Sequence, residues 1–395
     1  MALKIETFRP HIFRGDLSAV TSPPIDIISP EYEMRLKSLP NNITHVTIPK
    51  HGDVLAAARV LNNWIKEGII EKYPDNCIIL LQQDVPSHGR YNTRIGIIAP
   101  VETSSDRNDI LPHEETFQWA VSQRQQLMEA TNCQLEPIFI AVNGTNFERI
   151  LRTVIRQITP AKKFTEQDGV INTVYFLTDS RTIDNIKAAI SREKGIVADG
   201  HHRLQATKNL YNSGKGNFWS CTLSYITSLQ NDSLFIGGIH RVLTGSHTLE
   251  AYYDDLLEYF DIEPMSGDQR QRNVTAYDGH YFSLKPKSVA FDAIGCSKKY
   301  HYDGDPTLVS TLILRQIIGF TQNDLSTKVI YTHSRPLAVD EVDSKKASLA
   351  FLMPEWDKSV FISMIEDGRI LPQKSTYFYP KVPSGVALYC SQAEL

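Results

Sequence analysis

The sequence predicts an α/β protein with mixed sheets (α+β in part), and three observations carry that expectation. Apolar runs of strand length alternate with amphipathic helical periods along most of the 395 residues. Gly, Pro and Asp residues fence those runs as turns. The composition, 42% hydrophobic and 22% charged, is that of an ordinary globular chain.

Residues 1–40 read as irregular, with a short proline-fenced apolar strand over Thr21–Pro30 centred on Asp26. Val54, Leu55, Ala58, Leu61, Trp64 and Ile65 recur at 3–4 spacing, which makes 52–70 an amphipathic helix ending at Gly68. Cys77–Gln82 and Arg94–Val101 read as strands joined by a hairpin-like turn. A polar helix is expected over Thr116–Thr131, entered at Pro112 with Glu114 and Glu115 in its first turn. Gln134–Val142 follows as a buried strand. Residues 146–158 and 181–193 read as helices, with a Val174–Leu177 strand between them.

Gly195–Asp199 is an apolar strand, after which Leu204, Ala206 and Leu210 carry a helix to about Tyr211. Phe218–Ile226 and Ser233–Ile239 read as strands, 247–260 as a helix and Tyr277–Leu284 as a strand. Pro306–Gly319 is a helix opened by its proline. The charged stretch 333–346 reads as a loop, and 348–353 and 360–365 as strands. Length suggests two or three domains, divided as 1–100, 101–245 and 246–395.

Charge narrows the function classes. Lys and Arg total 41 against 45 Asp and Glu, a formal −4, which argues against a sequence-independent grip on nucleic acid. Cys77, Cys133, Cys221, Cys296 and Cys390 are odd in number and far apart, so they read as reduced thiols. No window reaches the 18 apolar residues of a membrane span, and the charged N-terminus does not resemble a signal peptide. A cytoplasmic enzyme is the expectation.

The chemistry concentrates in Asp199-Gly200-His201-His202-Arg203, where a buried strand turns into a helix. Gly200 permits close backbone approach, and a helix start turns N–H groups and a positive dipole end toward an anion. The plainer alternative is a polar helix cap with Arg203 in a salt bridge. His113-Glu114-Glu115 offers a general base, with Glu115 as the confounder of Glu114. Arg124 and Thr131 on the same helix offer polar contacts. Lys374-Ser375-Thr376, with Lys381 beyond, suits phosphate but lacks the glycine-rich cradle of a P-loop. Asp26 and His240-Arg241 are further candidates for ligand contacts. His113, Glu114, Asp199, His201, His202 and His240 suffice in number for a transition metal, though none shows HExxH spacing.

Six segments in order resemble the prokaryotic family catalogued as domain of unknown function 1015. They are Pro23–Ser29, His113–Phe117, Ala130-Thr131 with Pro137–Phe139, Ala198–Arg203, Gly237–Arg241 and Pro372–Lys381. Ile25 stands where a tyrosine is common, and His333-Ser-Arg-Pro lacks the acidic character of its loop. The Asp-Gly-His-His-Arg corner also resembles free serine kinases of the ParB/sulfiredoxin-like superfamily. That resemblance implies a ParB-like catalytic core over 101–245. It also implies a soluble small-molecule kinase forming O-phospho-L-serine with Mg2+ and ATP or ADP.

Glu114 then matches the base, Asp199 the essential acid, and Gly200 to Arg203 the phosphate loop. Lys374, Ser375 and Thr376 would assist the nucleotide, and Asp26, His113 and Arg241 the substrate. The resemblance leaves room for a homodimer. A metal-dependent hydrolase and a non-catalytic nucleotide sensor stand as alternatives.

Overall fold

A computed structural model describes residues 3–87, 89–103, 109–269 and 272–391. The chain divides into two compact units. The first comprises Met1–Pro112, Thr116–Leu234 and Pro380–Leu395, and the second His113–Glu115 and Phe235–Tyr379. Both are mixed α/β.

In the first unit eight strands form one sheet: Ile78–Ser87 (β1), Arg90–Glu102 (β2), Ile110–Leu111 (β3), Ile138–Val142 (β4), Lys162–Thr165 (β5), Ile171–Leu177 (β6), Gly195–Asp199 (β7) and Cys221–Ser228 (β8). Their order is β3-β7-β4-β8-β2-β1-β6-β5. Strands β7 and β3, and β8 and β4, pair in parallel, while the other neighbours are antiparallel. Strands from 78–102 thus share one sheet with strands from 138–228. Its apolar residues form a core through Ile78, Leu80, Ile97, Ile140, Val197 and Ile226, all fully or almost fully buried. Helices Val54–Lys66 (α1), Gln118–Thr131 (α2), Asn146–Val154 (α3), Ser180–Ile190 (α4) and His201–Asn212 (α5) flank this chain segment. Asp53 caps α1 and Asp179 caps α4, each accepting a backbone N–H in the first turn.

The second unit holds a six-stranded sheet of His240–Leu243 (β9), Phe260–Met265 (β10), Val274–Tyr277 (β11), Tyr281–Pro286 (β12), Val329–Thr332 (β13) and Leu349–Leu352 (β14). The order is β10-β12-β11-β14-β9-β13, antiparallel throughout. Leu308–Ile317 (α6) packs its Leu308, Leu312 and Ile313 into that core. It is wound throughout as a π-helix, with i→i+5 hydrogen bonding that ends at Ile318 N–H to Ile313 O, 2.9 Å.

Five local expectations are corrected. The Thr21–Pro30 segment is no strand: Ile25–Ile27 is a 3₁₀ turn, because Pro23 and Pro24 lack the N–H groups a ladder needs. Glu114 and Glu115 do not lie in a helical first turn, since α2 begins only at Gln118 and Glu114 bridges to Leu371. The expected 333–346 loop contains helix Arg335–Asp343 (α7), nucleated by the Ser334 cap and Pro336. The expected strand at 360–365 is helix Lys358–Glu366 (α8), whose start is fixed by Asp357 accepting from Ser359 and Val360. Finally, Cys133 and Cys390 form a disulfide. Short strands at 133–134 and 389–390 pair antiparallel and bring the two together across a separation of 257 residues, which linear spacing cannot reveal.

Candidate functional site

Two clusters hold the candidate residues, one in each unit. In the first unit β7 ends at Asp199 and α5 starts at His201. Gly200 makes the corner at φ +92°, in the left-handed region open to glycine. A Cβ there would lie 2.8 Å from Ile138 Cγ2. The position therefore requires glycine for both torsion and space.

Asp199 sits in a ladder of charges. Lys381 Nζ donates to Asp199 Oδ1 at 2.8 Å, and Arg203 Nη2 to Oδ2 at 2.6 Å. Lys381 also faces Asp26 Oδ2 at 3.7 Å, and Arg203 faces Glu136 Oε2 at 3.7 Å. Ser384 Oγ donates to the other Glu136 oxygen at 2.6 Å. Burial opposes ionisation of Asp199, but Lys381 and Arg203 outweigh it and hold the carboxyl well below the usual carboxylate range. Arg203 also donates to Pro137 O at 2.7 Å, so two of its nitrogens are spent on positioning the corner.

The lysine is itself anchored. Gln83 Nε2 donates to the Lys381 carbonyl at 2.9 Å, and Arg94 donates to the Gln83 carboxamide oxygen. Arg94 is fully buried between the Phe139 and Tyr225 rings, 4.9 and 5.1 Å from their centroids.

His202 Nε2 accepts the Phe117 N–H at 3.0 Å. That fixes a neutral tautomer with its proton on Nδ1. The Phe117 ring lies parallel to the imidazole at 6.3 Å. Farther along, Asn209 Nδ2 donates to Gln125 Oε1 at 3.3 Å, so α2 and α5 run side by side in the same direction. Val121, Met128, Ala206 and Leu210 seal the two helices together. Arg124 on α2 donates to Thr47 O at 3.4 Å, and Thr131 donates back to Leu127 O.

In the second unit Glu114 is clasped by the 374–376 turn. Its Oε1 accepts from Ser375 N, Thr376 N and Thr376 Oγ1 at 2.9–3.0 Å, and its Oε2 from Lys374 N at 3.2 Å. Lys374 at φ +58° curls these N–H groups into an anion-binding nest. A carboxylate of the chain thus fills the backbone donors that the sequence offered to a phosphate. His113, fully buried against Phe361 and Phe378, reaches Thr376 Oγ1 through Nε2 at 2.7 Å. Because that hydroxyl gives its proton to Glu114, the imidazole is the donor. Glu115 is exposed.

Arg241 is walled into the core of this unit. It donates to Ile239 O and to Ser310 Oγ, and burial brings its guanidinium down to about 10. His240, 5% exposed, accepts the Met353 N–H through Nδ1, and burial lowers it to about 3.

Among the described residues no group of three His, Cys, Asp or Glu side chains is placed to hold a metal ion. No helix of the described residues is long and apolar enough to cross a membrane. Sequence reasoning missed Glu136, Gln83 and Arg94 and left Lys381 a minor candidate. A buried Glu next to Pro137, in a segment already singled out, was the available signal.

No curated protein matches the chain. Among solved structures it is similar to a conserved hypothetical protein from Pyrococcus furiosus, at 11% identity and TM-score 0.38, covering 71% of this chain and 91% of that one. A free serine kinase in complex with AMP is similar at 12% identity and TM-score 0.36, over 68% and 83% of the chains. SbnI with a C-terminal truncation, from Staphylococcus aureus, is similar at 11% and TM-score 0.37, over 72% and 87%. The family model described as protein of unknown function (DUF1015) matches residues 6–309, which contain Asp26, the 113–117 segment, the Asp199 corner and His240-Arg241. With most of its length and five of its six signature segments inside that match, the chain belongs to the DUF1015 family.

Proposed function

We propose that the protein is a nucleotide-dependent small-molecule kinase that phosphorylates free L-serine to O-phospho-L-serine. The observation that carries the reading is the Asp199 corner: a glycine-only turn, a helix start and a fixed ladder of two cations and three carboxylates. In such a transfer the hydroxyl oxygen bonds to the terminal phosphorus. The bridging P–O bond breaks, the shortened nucleotide leaves, and a base takes the hydroxyl proton.

The first-turn amides of α5, with His201 and His202, are assigned to the phosphates. Asp199 is assigned the role of essential acid group, held ionised by Lys381 and Arg203. Glu114 is assigned as the base, on the strength of the motif it shares with serine kinases, and Thr376 and His113 would orient it. Magnesium fits as a companion of the nucleotide phosphates, since it needs only one or two protein carboxylates. Asp26, a third exposed on its side chain, suits that contact better than Asp199, whose two oxygens already accept from cations. The ParB-like character of residues 101–245 and a cytoplasmic enzyme belong to the same proposal.

Incubation of the protein with magnesium, ATP or ADP, and a panel of serine and other hydroxylated metabolites tests it. A phosphorylated product identified by mass spectrometry is the expected result. Absence of product from every pairing sinks the kinase reading. Tight nucleotide binding without turnover would move it to a sensor.

A further inference from the structure

The chain has four tryptophans, and three are buried: Trp64, Trp219 and Trp356 are 5%, 2% and 7% exposed. Trp119 is 67% exposed. Single exposed apolar side chains are ordinary on a protein surface. This one is distinguished by what it continues. Its ring lies 6.0 Å from that of Phe117, and Phe117 in turn lies parallel to His202 at 6.3 Å. His202 is the second residue of α5, beside the Gly200 turn. An unbroken file of three flat rings therefore leads from the corner out to an open indole face.

The file is also rigid. Trp119 occupies the first turn of α2, and Phe117 is tied by its own N–H to His202 Nε2 at 3.0 Å. Val121, Met128, Ala206 and Leu210 share one buried apolar cluster that holds α2 against α5. Neighbouring Thr116, Gln118, Ser122 and Gln123 are polar, and all four are exposed. The indole is thus a single flat apolar surface in polar surroundings. That form suits a planar heteroaromatic ring better than a protein partner, which would need a contiguous apolar patch.

We infer that Trp119, with Phe117 behind it, is the platform on which the base of the bound nucleotide stacks. The inference deepens the kinase reading and rests on its assignment of phosphates to the Asp199 corner. It adds a substrate class, a nucleotide recognised through its base and not a bare polyphosphate.

The test titrates the whole protein with ADP and, separately, with inorganic tripolyphosphate, following tryptophan emission and calorimetric affinity. Trp119 is the one solvent-facing indole, so ADP should quench wild-type emission, and Trp119→Leu should abolish the quench. ADP binding to that variant should weaken by roughly ten- to a hundredfold, the usual worth of a base–aromatic stack. Tripolyphosphate affinity should not change, and Trp119→Tyr should restore most of the ADP affinity. Unchanged melting checks that the exposed substitution leaves the fold intact. Equal ADP affinity in wild type and Trp119→Leu overturns the platform while leaving the phosphate assignment standing. Failure of wild type to bind either probe overturns both.

Discussion

Replacing Lys381 by Met removes the cation that lies 2.8 Å from Asp199 and 3.7 Å from Asp26, on a side chain only 7% exposed. Methionine keeps the length and apolar stem, so the perturbation is chiefly electrostatic. Breaking a buried ion pair from one side costs about 3–5 kcal/mol, because a charge is left buried without its partner. Arg203 still donates to the other Asp199 oxygen at 2.6 Å, so the lower end, about 3 kcal/mol, is expected.

In a domain of this size about 2–4 °C of melting temperature follows each kcal/mol, hence a fall of roughly 6–12 °C. Urea unfolding at neutral pH, with equal slopes in both proteins, measures the difference directly. The double variant Asp199→Asn/Lys381→Met should recover part of the loss, since both charges are then gone. Because the folded carboxyl of Asp199 is held below its usual range, its contribution is complete above the unfolded value of about 3.9. It is lost as pH falls through the folded value, so wild type and Asp199→Asn should converge in acid. A Lys381→Met protein that melts within about 2 °C of wild type at neutral pH would refute the ladder as a buried, coupled unit.

Three further outcomes are expected. Glu114→Gln should lower turnover by about 10²–10⁴-fold with nucleotide affinity nearly unchanged, whereas exposed Glu115→Gln should remain near normal. Steady-state kinetics on the two variants separates them, and a reversed pattern would shift the base to Glu115. Gly200→Ala should destabilise by roughly 2–4 kcal/mol, from the left-handed torsion plus the contact with Ile138, as read by thermal melting. His240 is kept neutral by burial, so its protonation favours unfolding, and stability should drop as pH falls below about 6.5, by up to about 1.4 kcal/mol per unit. His240→Asn keeps an acceptor for the Met353 N–H, and a flatter stability curve between pH 6 and 5, by urea titration, is the expected result.

The periodic elements were legible in the sequence because their faces are buried one-sidedly. Helix α1, with Leu61 and Trp64 inward, and strands β1 and β2 appear close to where the pattern puts them. Short apolar runs such as 360–365 were not, because Phe361, Ile362, Met364 and Ile365 are all buried and fit either period. The Asp199 corner was visible because its residues are consecutive. The ladder around it was not, because Asp26, Glu136, Asp199 and Lys381 meet only through tertiary structure. The clasp on Glu114 was hidden for the same reason: its donors come about 260 residues later in the chain.

Lys381 and Ser384 reach the Asp199 corner on a segment synthesised 182 residues after Asp199 itself. At about 5–20 residues per second a ribosome needs roughly 10–40 s to cover that interval. For that time the strand carrying Asp199 has emerged without its lysine, so a nascent chain holds the corner with Arg203 alone. Completion of the charge ladder therefore trails synthesis of the Asp199 strand by that interval. A transcript that stops before codon 381 would yield a chain with the eight strands of the first unit's sheet but without the cation that pins Asp199.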